Sequence, residues 1–267
     1  MANSTSTDLD RLLKLREEGA DGLAEAQCKR LLQLTQAIQE PAVRPHALRE
    51  ALHQMKDPLL LVILHRLLEK AESGQPAARS LLTTLALTPS ILDELEPTHQ
   101  NRLKRLAEEG GLVAVRRLLL QPAFNKKGLI KAYDDNVHMT LPLGSRRQAA
   151  RGRNREKIDR LLHDRDHRVI QILLNNPIII ERDVIAIAAR RPTRPEVLQT
   201  IADHKKWSSR YRVRKALVCN PHTPDGVALR LLPTLLIQDL RFLASSGALL
   251  PELREEARVL IARRSTH

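Results

Sequence analysis

Aromatic side chains are nearly absent from this chain. Phe124, Tyr133, Trp207, Tyr211 and Phe242 are all that occur in 267 residues, and glycine is also scarce at 10. A β-sandwich or barrel draws on aromatic and β-branched strands joined by glycine-rich turns, so that class is set aside. The two cysteines, Cys28 and Cys219, have no CxxC or Cys/His surroundings, and neither a disulfide framework nor a zinc site is expected. The longest apolar run, Pro58 to Leu64, falls far short of the roughly 20 residues that cross a bilayer. Met1 to Asp8 is polar and lacks the apolar centre of a signal peptide. A cytoplasmic, monomeric protein is expected. Catalytic signatures are missing too: there is no Gly-x-Ser-x-Gly, no GxGxxG and no GKS or GKT. The chain is therefore read as a non-enzyme with no cofactor and no metal.

What is present is helical patterning. Apolar residues make up 42% and charged residues 28%, a globular balance with ample material for a core. Leu12, Leu13, Leu15 and Leu23 begin a three- and four-residue spacing, with Thr7 or Asp8 as the first cap. Cys28, Leu31, Leu32, Leu34 and Ile38 continue it, and further runs cover 59–68, 81–87, 103–106 and 113–120. Pro, Gly, Asn or Asp separates the runs, as expected of an all-α protein. Asn176 to Ile180 is the best strand candidate, but it sits inside a helical pattern.

Charge is unevenly spread. The net is +13, from 44 Lys+Arg and 31 Asp+Glu. Residues 1–144 hold 19 basic and 18 acidic residues, against 25 and 13 in 145–267. A field lopsided in this way attracts polyanions, either an acidic protein or nucleic acid.

The second half repeats itself. Val169 to Pro177 matches Val213 to Pro221 at an offset of 44, pairing Leu173 with Leu217, Asn176 with Asn220 and Pro177 with Pro221. Looser copies run from Ala114 to Pro122 and from Leu81 to Pro89. The unit reads as helix, Asn-Pro stop, short turn, second helix. Asn tolerates the left-handed helix end, and Pro cannot continue the helix. Thr223 is placed to cap the next helix, with Pro224 at its first position. Such a unit buries its apolar face only against a copy of itself, which predicts an α-solenoid of stacked helical pairs.

The pattern Val-Arg-x-Ala-Leu-Val-x-Asn-Pro-x-Thr-Pro-x-x-Val-Ala-Leu-x-Leu-Leu over 213–232 resembles the leucine-rich-repeat variant and HEAT-like repeats of bacterial proteins. The stretches Asp239 to Ala244 and Leu250 to Leu260 look like the terminal part of such arrays. The resemblance implies an armadillo-type superhelix that binds protein or nucleic acid. An iron–sulfur cluster found in some repeat-variant proteins is not carried over, because its cysteines are missing. Three parts are expected: 1–135 with degenerate repeats, a basic loop or hinge over 136–153, and a basic repeat part over 154–267.

Two clusters invite chemistry. His163-Asp164-Arg165-Asp166-His167 sets two histidines four apart, as a metal site would. Three nearby arginines favour a polar inter-helix turn instead. The segment from Lys205 to Lys215 gathers six positive charges around Trp207 and Tyr211. Cations there would neutralise phosphates, and exposed aromatics would stack on bases, as HEAT-like DNA glycosylases do, with Asp203 nearby as the acid. The plainer reading packs Trp207 and Tyr211 against each other at the helix entry and lets Ser208 or Ser209 cap it. Candidate partner- or phosphate-binding residues are Lys205, Lys206, Trp207, Arg210, Tyr211, Arg212 and Arg214, joined by Arg190, Arg191, Arg194, Arg146 and Arg147. The expected function is a non-catalytic scaffold for an acidic protein. The alternative is nucleic-acid binding with glycosylase-like repair activity.

Overall fold

The computed structural model describes residues 9–14, 22–38, 40, 43–88, 90–93, 97–119, 141–247 and 249–265, and these form helices and turns without a strand. The all-α expectation therefore holds among the described residues, and 176–180 is a turn. No described helix is long and apolar enough to cross a membrane. Thr7 and Asp8 lie outside the described residues. The chain divides into two compact units, Met1–Gln121 with Val259–His267, and Pro122–Arg258.

The first unit contains α1 (Leu23–Ala37), α2 (Arg44–His53), α3 (Asp57–Glu72), α4 (Pro76–Leu87), α5 (Ser90–Asp93), α6 (Pro97–Glu109) and α7 (Val113–Leu118). Prolines stand in the first turn of α2, α3 and α4, where the missing N–H costs nothing. Helix α3 is apolar almost all round, burying Leu60 to Leu64, Leu67 and Leu68. A helix of that kind has to be central, and α3 packs against α1, α4, α6 and α7. Its end is closed by Gly74 at φ +95°, a left-handed position that lets the Gln75 N–H reach back to Lys70 O at 3.0 Å.

The second unit contains α8 (Leu143–Arg151), α9 (Arg155–Leu161), α10 (His167–Leu174), α11 (Glu181–Ala189), α12 (Pro195–Asp203), α13 (Lys205–Ser208), α14 (Tyr211–Cys219), α15 (Asp225–Leu231) and α16 (Ile237–Ser245). The last helix, α17 (Pro251–Ser265), has its first residues in this unit and its last in the first unit. The stretch expected as a loop over 136–153 is helical across Leu143–Arg151; residues 136–140 lie outside the described residues. Apolar pairs recur at i, i+1, i+4 and i+5: Val169, Ile170, Leu173 and Leu174 in α10, and Val197, Leu198, Ile201 and Ala202 in α12. Helix α8 packs on α10, α10 on α12, and α12 on α14, while α11 lies against α12 and α14.

The repeated asparagines do something other than expected. Among the described residues only glycine has a positive φ, so neither Asn bends the chain left-handedly. Instead their side chains cross to another helix. Asn176 Nδ2 donates to Ala150 O at 2.8 Å and Gly152 O at 2.7 Å, at the end of α8. Asn220 Nδ2 donates to Ala188 O at 2.7 Å and Arg190 O at 2.9 Å, at the end of α11. Each Oδ1 accepts the N–H two residues on, Ile178 at 3.1 Å and His222 at 3.0 Å. Both asparagines are buried, and a buried carbonyl left unpaired costs about 1–3 kcal/mol. Asn176→Ala and Asn220→Ala should each lower stability by about 2–3 kcal/mol in urea denaturation. Asn175→Ala, at an exposed neighbour, should cost less than about 0.5 kcal/mol.

Candidate functional site

Other helix ends of the second unit are closed in the same manner, and the donors include several residues singled out from the sequence. Trp207 is buried, and its Nε1–H donates to Leu174 O at the end of α10, at 2.7 Å. Arg190 donates to Leu162 O at 3.4 Å and Asp164 O at 3.0 Å, just past α9. Arg191 donates to Cys219 O, the last carbonyl of α14. Arg214 is buried and donates to Ser208 O at 3.2 Å and Ser209 O at 2.7 Å. Burial pulls the guanidinium pKa down in both Arg190 and Arg214. These guanidinium groups hydrogen-bond carbonyls rather than carboxylates.

Arg146 is buried on Asp164, with both carboxylate oxygens accepting from Nη1, at 2.6 and 2.5 Å. Asp166 caps α10 through the Arg168 N–H at 2.9 Å and pairs with the same side chain. That side-chain bond, acting against burial, holds the Asp166 carboxyl down to about 2. The His163–His167 stretch is thus a polar turn, and no described cluster of His, Cys, Asp and Glu could hold a metal.

Tyr211 donates to Asp239 and accepts from the Leu236 N–H at 3.0 Å. Lys215 Nζ stands 2.7 Å from the same carboxylate. Burial pushes the Tyr211 phenol up to about 12, and the Asp239 bond adds to the shift. Burial would raise Asp239 as well, but the bonds from Lys215 and Tyr211 outweigh it and hold the carboxyl low. Asp183 sits in a matching place. It is the third residue of α11, as Asp239 is of α16, and is held by Arg155, which like Tyr211 opens a helix 28 positions earlier.

Trp207 and Tyr211 therefore do not pack on each other. The Trp207 ring carries Lys206 Nζ at 4.3 Å from its centroid, and Tyr211 turns to Asp239. Nor do the serines cap α14: Ser208 and Ser209 hydroxyls donate back to His204 O and Lys206 O, at 2.9 and 2.8 Å. Thr223 likewise donates to Leu217 O at 2.5 Å, closing α14 rather than opening α15. Asp203 is exposed and accepts from Gln199.

Of the residues singled out, Lys205, Lys206, Arg210, Arg212, Arg194 and Arg147 remain exposed and form no ion pair among the described residues. Arg147 and Arg151, one turn apart on α8, face Gln171 and Asn175 of α10 and its end across an open groove. Asn175 Oδ1 in turn lies 3.3 Å from His204 Nε2, beside Lys205 and Lys206. Burial lowers the His204 pKa. Unpaired cations thus border the ends of α8, α10 and α12. Gln171 and Asn175 were not among the sequence candidates. The Arg147–Arg151 spacing of four marks a helix face once 143–151 is known to be helical.

Compared with protein-family models, with curated proteins and with solved structures, the chain has no match.

The Tyr211 phenol should titrate near pH 12 by absorbance at 295 nm, and Asp239→Asn should lower it only in part, because burial, the larger cause, remains. Because the folded pKa is the higher one, this contribution to stability is present below about pH 10 and lost as pH rises through 12. Trp207→Phe keeps an aromatic ring but removes the donor and part of the buried indole volume, and should cost about 1–3 kcal/mol in urea denaturation followed by far-ultraviolet dichroism.

Proposed function

We propose that the chain is a non-catalytic helical-repeat interaction module that grips an acidic protein through the second unit's unpaired cations. One observation carries this reading: Lys205, Lys206, Arg210 and Arg212 are exposed within eight residues and have no carboxylate partner among the described residues. Four uncompensated cations so close together raise the local potential and favour a polyanion. The aromatics beside them are committed elsewhere, Trp207 to a helix end and Tyr211 to Asp239. That favours an acidic protein over a nucleic acid read by base stacking, and over a base-excision enzyme. The fold that would present this surface is an armadillo- or HEAT-like α-solenoid of stacked pairs, of the leucine-rich-repeat-variant kind. The succession of contacts from α8 through α10 and α12 to α14 supports it, as do the recurring cross-helix asparagines. The module acts as a cytoplasmic monomer in this reading.

The test is fluorescence anisotropy at low and moderate salt, with a labelled poly-glutamate peptide and a labelled DNA duplex of about 20 base pairs. The wild type runs beside Lys205→Ala/Lys206→Ala/Arg210→Ala/Arg212→Ala. Peptide binding that weakens with salt, and drops about tenfold or more in the variant, is the expected outcome. Tighter binding of duplex, with a log–log salt slope of about −0.9 per contacted phosphate, would replace the acidic protein with nucleic acid. No binding of either probe at low salt would remove the reading.

A further inference from the structure

The first unit holds a second surface of different character, independent of the function proposed for the second unit. Along α1, Leu23 and Leu34 stand on one stripe, and Met55 and Leu59 stand opposite at the corner between α2 and α3. Together they floor a groove of about 380 Å³. Leu23 is 54% exposed, and Leu34, Met55 and Leu59 are half-buried, packed on the core from below. An amphipathic helix normally hides such a stripe.

The rim is charged with one sign. Arg11, Arg30 and Lys56 line the groove, and no Asp or Glu does among the described residues. All three are exposed and make no ion pair among the described residues. In this same unit, the neighbouring cations Arg66 and Lys70 are paired to Glu25 at 3.3 and 2.8 Å. The cations around the groove thus have no carboxylate partner among the described residues. The stripe from Leu23 to Leu34 extends about 16 Å along α1, the length of a three-turn helix.

We infer that this groove docks an acidic amphipathic helix of a partner protein, with apolar anchors at i, i+3 or i+4, and i+7 against the leucine floor. Its carboxylates face Arg11, Arg30 and Lys56. A single-chain anionic lipid would match the apolar floor but brings one headgroup to three separated cations. A helix supplies several carboxylates along the same length, at the spacing that grooves of this kind read.

The test uses the full chain labelled with ¹³C in its methionine methyls. There are three methionines, Met1, Met55 and Met139, and one of them floors the groove. The probe is a synthetic helix of about fourteen residues, with leucines on one face and glutamates elsewhere. A scrambled peptide of the same composition and sodium dodecanoate serve as comparisons. The expected result is a saturable shift of the Met55 methyl with the helix and none with the scrambled peptide. Arg30→Glu/Lys56→Glu, both at exposed positions, should weaken binding by about tenfold or more. The quadruple alanine variant of the second unit should show the same Met55 shift with this peptide as the wild type does, so that either proposal can fail without the other. An equal Met55 shift with the scrambled peptide, an undiminished Met55 shift in the Arg30→Glu/Lys56→Glu variant, or a Met55 shift with dodecanoate alone would each overturn the inference.

Discussion

A helix of nine residues leaves its last four carbonyls without partners inside the helix, and the second unit is made largely of helices of that length. Several side chains of the unit meet this shortage of donors. Asn176, Arg190, Trp207, Arg191, Arg214 and Asn220 all reach helix-end carbonyls with side-chain N–H groups. Except for Arg214, which reaches back from α14 to the end of α13, they bridge some 25 to 35 residues of sequence. Closing a helix and packing it on a distant one are here the same event. The first unit relies on nearer groups, with Gly74 and Gly111 in the left-handed region after α3 and α6, and with Arg79 and Arg44 donating to Ala71 O and Ile38 O eight and six residues away. Glycine closure needs no neighbour; amide and guanidinium closure needs the right one.

That choice shapes the electrostatics. Aspartates at the starts of helices are matched to specific donors, Asp183 to Arg155, Asp239 to Tyr211 and Lys215, and Asp166 to Arg168. Arg190, Arg191 and Arg214 bond carbonyls instead. The negative charges are therefore largely consumed inside the unit, while much of the positive charge is left uncancelled. The exposed cations at Lys205, Lys206, Arg210 and Arg212 add to a field that the fold already generates.

Much of the fold was legible in the sequence, because apolar spacing reports which face of a helix is covered. The 44-residue repeat identified Asn176 and Asn220 as equivalent, and both cap a helix end on another element. Their mechanism was not legible: a left-handed Asn and a side-chain amide crossing to another helix leave the same letter in the sequence. Leu143–Arg151 was missed as a helix because Pro142, Gly144 and a run of arginines read as loop, although Ala150 is buried there. Exposure was the least legible property. Lys205 and Arg214 sit in one basic run, yet one is exposed and the other buried on carbonyls, and only the packing of α13 against α14 separates them. The leucine groove of the first unit gave no signal, since Leu23 and Leu34 continue the same helical spacing as the core.

The five aromatic residues have a further consequence. Phe124, Tyr133, Trp207, Tyr211 and Phe242 all fall within Pro122–Arg258, so the first unit contains none. Its interior is aliphatic, built on residues such as Leu61, Ile63, Leu81 and Leu103. In optical terms the molecule is divided: its intrinsic emission and near-ultraviolet absorbance originate in one unit, and the other is dark. An unfolding curve recorded by fluorescence reads the second unit alone, whereas amide dichroism sums both. The gap between the two curves therefore measures directly, without a label, whether the two units melt as one.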